Sequence, residues 1–247
     1  MSHPEQTNFV KLIKDLNISK VKAARILEVG SSATTFGSIR SIFPPCKEYV
    51  GIDLSPGPGV DIVMNAHDLN RLQGKFDVVV SCEALEHDPD WKTTIKNILN
   101  IMTPQGFLVL SCATTGRPEH GTKRTNPADS PGSQSIGWDH YKNVASAELV
   151  DFVKSLDPGF ETHVWTNRKI FDLYALVFRS SAAAQEVQIP TSEQISKLMK
   201  STRFFFQIAC WPIRVIVRIF GVSIGETFGR IYWTTLSKLK KKNRIKN

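Results

Sequence analysis

Residues 24–53 read ARILEVGSSATTFGSIRSIFPPCKEYVGID. Arg25 to Val29 (RILEV) reads as a buried strand. The turn Gly30-Ser31-Ser32-Ala33-Thr34 follows, and a short helix is expected after it. Tyr49 to Ile52 reads as a second strand, ending on Asp53. Strand, small-residue turn, helix, and strand closed by an acid form the entrance of a nucleotide-binding α/β unit. The turn of such a unit faces the ligand and the acid meets a ribose.

The alternation continues on both sides. Upstream, Phe9, Leu12, Ile13 and Leu16 are spaced as a helix over Gln6 to Leu16, expected to cover a sheet edge or the pocket mouth. Downstream, the turn SPGPG leads to a third strand over Val60 to Met64 and a fourth over Phe76 to Ser81. Asp90 is placed to cap a helix from Trp91 to Ile101, and Pro104-Gln105-Gly106 turns into a fifth strand, FLVLSCA. Strands and helices that alternate this way pair in parallel, with right-handed crossovers. Thr114 to Gly137 breaks the rhythm, and a connection that long reads as a lid, a binding loop or a disordered segment. After a helix over Ala145 to Leu156 come Glu161–Thr166 and Phe171–Arg179, joined by a turn at Asn167–Lys169. No helical crossover fits between them, so they should pair antiparallel.

The net charge of +8 is unevenly placed. From Lys197 onward twelve Lys/Arg face one acid, Glu226, whereas before it nineteen face twenty-two. The basicity belongs to the tail, which argues against a nucleic-acid-binding body. Cys46, Cys82, Cys112 and Cys210 are scattered without a Cys-x-x-Cys pair, so neither a disulfide framework nor a zinc site is expected, and no metal ligand set is predicted. The N-terminal MSHPEQTNF lacks a signal-peptide apolar run, and the body reads as cytoplasmic.

The strings ILEVGSS, YVGIDLSPG, MNAHDL, FDVVVSCEALEH and MTPQGFLVLS, in this order, resemble the class I S-adenosylmethionine-dependent methyltransferases over roughly Ala24 to Ser180. The resemblance implies an α/β fold with a Rossmann-like seven-stranded, mostly parallel sheet and an antiparallel terminal hairpin. It also implies S-adenosyl-L-methionine as cofactor. Glu28 then stands where the family organises the methionine end, Gly30, Ser31 and Ser32 form the turn, and Asp53 and Leu54 meet the ribose. Asn65, Ala66, His67 and Asp68 stand where adenine contacts occur, with Asp68 readable equally as a loop cap. Cys82 and Glu83 border the cofactor. Ser32 and Thr34 replace glycines that the family's turn usually carries. A methyltransferase-like binding or scaffold module is therefore the alternative. A nicotinamide dehydrogenase is disfavoured, since the turn lacks Gly-x-Gly-x-x-Gly.

Methyl transfer is an in-line displacement at an activated carbon, so alignment matters most, with a base only where the nucleophile must lose a proton. His87 is one candidate base, with a structural tie of the loop as the competing reading. His140, in Trp138-Asp139-His140-Tyr141, is a second candidate catalytic residue. Together with Arg117, Glu119, His120, Lys123 and Arg124 it suits a polar small-molecule or glycan-type acceptor, or else belongs to a solvated loop.

Three segments are expected: a methyltransferase domain over 1–181, a linker over 182–196, and a basic amphipathic helical tail over 197–247. In the tail Arg203, Gln207, Arg214 and Arg218 fall on one stripe at roughly 100° per residue, and Pro212 should kink the helix. Charges interrupt the apolar run, which argues against a plain spanning helix. Trp211, Tyr232, Trp233 and the run KLKKKNRIK suit a helix lying on the inner face of an anionic membrane. The competing reading is a helical pair packed on the domain or on a second subunit.

Overall fold

The computed structural model describes residues 4–32, 39–180, 187–200 and 204–244, with side chains to residue 236. Ala33, Thr34 and Arg203 therefore lie outside the described residues, as do parts of the expected linker and tail. The sheet has seven strands: β1 (Arg25–Val29), β2 (Glu48–Asp53), β3 (Ile62–Val63), β4 (Phe76–Cys82), β5 (Met102–Ala113), β6 (Phe160–Asn167) and β7 (Asp172–Arg179). Their order is β3-β2-β1-β4-β5-β7-β6. The first five pair in parallel, and β7 runs antiparallel to both β5 and β6. The expected turn at Pro104–Gly106 lies within β5, where the register against β4 shifts.

Among the described residues eight α-helices accompany the sheet: α1 (Pro4–Leu16), α2 (Ile18–Lys22), α3 (Trp91–Ile101), α4 (Pro131–Ser135), α5 (Ser146–Leu156), α6 (Ser192–Lys200), α7 (Phe204–Phe220) and α8 (Val222–Arg244). Asp90 caps α3 by accepting from Thr93 N–H. Side chains of successive strand residues point to opposite faces, which gives two cores. Leu27, Val79, Leu108 and Leu110 pack with α3 and α5 on one face. Ile26, Val80, Val109 and Tyr174 pack with α1 on the other. The expectation for α1 is corrected here: it lies across a sheet face, not along an edge. Phe9, fully buried, stacks on Tyr174 at 5.0 Å between ring centroids, and burial of a side chain of that size is worth about 1.5–3 kcal/mol.

The tail joins the body more closely than its composition suggests. Val187 and Ile195 are buried in the α1 core, so α6 straddles the expected boundary at residue 196. Cys210 and Ile213 of α7 bury against Phe171 of the body and Phe228, Tyr232 and Trp233 of α8. Arg214 donates to the carbonyls of Lys169 and Gln207, so that part of the polar stripe faces the domain. Phe205, Ile208, Trp211 and Ile219 are left exposed on a second apolar face. Among the described residues no helix is long and apolar enough to cross a membrane.

Candidate active site

The strand order reverses between β1 and β4, and a ligand crevice opens at the carboxyl ends of parallel strands where this happens. An open cleft of about 970 Å³ occupies that position. Ten of the twelve expected cofactor residues line it: Glu28, Gly30, Ser31, Ser32, Asp53, Leu54, Asn65, Ala66, Cys82 and Glu83. His67 stands behind the wall, with Nε2 3.0 Å from Asp88 Oδ1 and its ring 5.4 Å from Trp138. Asp68 is exposed and does not line the cleft.

Gly30 ends β1 with φ +79°, where a Cβ would meet the Ala84 side chain at 3.0 Å. Only glycine adopts that conformation without strain, and its bareness brings the backbone to the cleft wall. The amides of Gly30 and Ser31 both donate to the Ile52 carbonyl, fixing the turn to the end of β2. Ser32 N–H then donates to Asp53 Oδ2 (3.0 Å), and Leu54 N–H to Oδ1 (2.7 Å). These bonds orient the carboxylate while each oxygen keeps a lone pair for a hydroxyl donor. Asn65 Oδ1 accepts from His67 N–H and caps the following turn of helix.

Glu28 is 4% exposed and accepts from Tyr49 Oη (2.7 Å). Burial pushes its carboxyl up to about 7, against the opposing effect of the Tyr49 hydroxyl and Arg40. An acid held in this way gains from a cationic partner. Ser31 Oγ is buried in the cleft wall without a hydrogen-bond partner. A bare backbone turn, an oriented ribose-type acid, a buried carboxyl and an orphaned hydroxyl fit the nucleoside and amino-acid ends of S-adenosylmethionine. Burial pushes the Cys82 thiol up to about 12, so Cys82 contributes shape and no nucleophile.

The long connection is a wall of this cleft. Ser130, Pro131, Gly132, Ser133 and Trp138 line the cleft opposite the strands. Gly132 approaches so closely that a Cβ there would sit 2.6 Å from Asp53 Oδ1. Ser130–Ser133 belong to the stretch expected as a lid or binding loop and Trp138 to the string expected near the acceptor, but none of them, nor Asp88 and Thr94, was among the expected cofactor residues. The signal for them was the Ser-Pro-Gly-Ser string, whose small residues permit such an approach. The connection is tied down by Arg117, expected on a loop and found 5% exposed, which donates to Asp172 Oδ1 (2.6 Å) and the Ile170 carbonyl. Glu119 accepts from Thr122 Oγ1 and Arg124 Nε, and Asp139 accepts from Lys123 N–H.

Glu83 closes β4 at φ +53°, a left-handed conformation that costs a non-glycine residue about 1–3 kcal/mol and collects at functional sites. Burial, then repulsion from Glu86, pushes its carboxyl up to about 8. His87 also lines the cleft, and burial pushes it down to about 3, leaving a neutral and weakly basic imidazole. That disfavours His87 as the general base, because the imidazolium would form in a buried setting. His140 does not line the cleft; it is half-buried, and burial lowers its pKa as well. A second, polar recess of about 880 Å³ opens between the body and α8, bounded by Arg117, Glu119, Tyr141, Asn143, Glu226 and Arg230.

The family model described as a methyltransferase domain matches residues 5–153, more than half of the chain. The chain belongs to that family, and with its seven-stranded sheet it is a class I S-adenosylmethionine-dependent methyltransferase. Curated protein sequences contain no match to it. Among solved structures, an S-adenosylmethionine-dependent methyltransferase from Clostridium acetobutylicum ATCC 824 has the same fold at TM-score 0.51 and 11% identity. That alignment covers 70% of this chain and 91% of the other. The N-methyltransferase NodS from Bradyrhizobium japonicum WM9, solved with S-adenosyl-L-homocysteine, aligns at TM-score 0.47 and 16% identity, over 73% of this chain and 90% of NodS.

Proposed function

We propose that this methyltransferase acts on a polar small-molecule or glycan-type acceptor while resting on the cytoplasmic face of an anionic membrane. The observation that carries the reading is the double role of the tail. One side of α8 walls the polar recess next to the methyl-donor cleft, through Glu226, Thr227 and Arg230. The neighbouring α7 turns Phe205, Ile208 and Trp211 outward. The recess offers alternating donors and acceptors, as a hydroxylated acceptor requires. The outward aromatics and the lysine-rich chain end supply the apolar and cationic halves of a surface anchor. When bound, S-adenosylmethionine supplies a methyl group activated by its sulfonium. The chain's own part is to hold donor and acceptor in line and to exclude water between them.

The test is transfer of a tritiated methyl group into hydroxylated lipid and glycan extracts, in parallel with sedimentation on vesicles. The reading expects label in a polar acceptor, and salt-sensitive binding to phosphatidylglycerol vesicles but not phosphatidylcholine vesicles. Trp211→Glu with Phe205→Glu should abolish sedimentation and leave cofactor binding in place. Label found only in protein or RNA would contradict the acceptor class, and vesicle binding that survives both substitutions would contradict the anchor.

A further inference from the structure

Glu86, His87 and His120 converge beside the cofactor cleft, each offering a ligand atom within 4.8 Å of the other two. Glu86 is fully buried and His87 is 4% exposed. By strict geometry both nitrogens of His87 and both carboxylate oxygens of Glu86 are unsatisfied, and what lies nearest is the His140 backbone for His87 and the Glu83 carboxyl and Ala113 backbone for Glu86. Each buried polar atom left this way costs about 1–3 kcal/mol, so a group of them calls for something that satisfies them together. The surroundings are built to hold the rings. His120 Nδ1 lies 3.2 Å from the Pro118 carbonyl; with Nδ1–H donating there, Nε2 keeps its lone pair. Gly121, at φ +72°, approaches so closely that a Cβ would sit 2.6 Å from His87 Cε1.

We propose that Glu86, His87 and His120 form a binding site for a divalent first-row transition cation of the zinc, iron or manganese class. Two imidazoles and one carboxylate are the donor set such ions take, whereas magnesium and calcium prefer all-oxygen shells and copper(I) prefers thiolates. Three protein ligands leave open positions. His87 lines the donor cleft, and the Tyr141 ring, 5.6 Å from His87 and 4.9 Å from His120, borders the second recess. The cation would stand between the two, where an oxygen of the acceptor can fill an open position. That last placement rests on the recess being the acceptor site; the binding of the cation does not. The expectation of no metal drew on the scattered cysteines, and this site uses none of them.

Cobalt(II) serves as the probe, titrated into the full-length protein after chelator treatment and read by its visible ligand-field absorption. One equivalent should bind, zinc should compete and magnesium should not. Glu86→Gln and His120→Ala should each weaken binding by more than the about 10–100-fold that loss of an outer partner costs. His163→Ala, on β6, should leave it unchanged. Calorimetry with S-adenosylhomocysteine on the same samples separates the two readings, since His120 does not line the cofactor cleft. Cofactor binding without cobalt binding overturns the metal site alone, and the reverse overturns the methyltransferase reading alone. Should both variants fail to fold, histidine resonances of the wild-type protein decide. Zinc must then perturb His87 and His120 and spare His163, and no saturable one-equivalent change, or one confined to His163, overturns the proposal.

Discussion

The strand side of the cleft and the wall that faces it are held by different kinds of contact. Gly30, Ser32 and Asp53 lie within the stretch from β1 to β2, and the bonds that orient Asp53 come from residues 1 and 21 positions away. The opposite wall depends on contacts across far longer separations. Arg117 reaches Asp172 over 55 residues, and Glu226 of α8 accepts from Asn143 Nδ2 over 83 and from Gly116 N–H over 110. Local geometry thus builds the part that every methyl donor needs. Distant polar ties hold the connection that faces it across the cleft.

The Arg117–Asp172 pair is the most severe place to break this contrast. Arg117→Met leaves Asp172 buried and uncompensated, and urea unfolding should register a loss of about 3–5 kcal/mol. A loss under about 1 kcal/mol would mean that the wall is held elsewhere. Glu28 tests the strand side. Below about pH 4.5 both folded and unfolded states carry its proton. Between there and about 7 only the unfolded chain ionises, so stability falls as pH rises and levels off above about 7. The fall amounts to roughly 3 kcal/mol, and Glu28→Gln should remove it from denaturation curves taken from pH 4 to 8. The smallest effect belongs to the tail contact. Glu226→Ala loses two hydrogen bonds worth about 0.5–1.5 kcal/mol each, so it should loosen α8 and slow acceptor turnover without changing cofactor affinity. Weaker cofactor binding in that variant would show that the two walls are coupled.

The same contrast sets what could be read from the chain alone. Arg25–Val29, Trp91–Ile101 and the closing hairpin were legible because strand and helix periodicity, an Asp cap and a short turn are local signals. Asp53 was legible because its place at the end of β2 fixes where it points. Arg117 was not: it sits in a Gly/Pro-rich stretch that looks solvated, and nothing nearby announces Asp172. Glu86, His87 and His120 were each visible, but 33 residues and a loop path separate His87 from His120. The position of α1 on a sheet face was equally hidden, because an amphipathic helix shows that it buries one side and not what it buries it against.

The central claim is that the Gly30 turn and Asp53 hold S-adenosylmethionine, and a paired thermal-shift measurement tests it most directly. Saturating S-adenosylmethionine should raise the melting temperature of the wild-type protein, by mass action on the folded state. Asp53→Ala, which removes both ribose-facing oxygens, should show no shift above its own apo melting temperature. An absent shift in the wild-type protein at millimolar cofactor, or an undiminished shift in Asp53→Ala, would contradict the account.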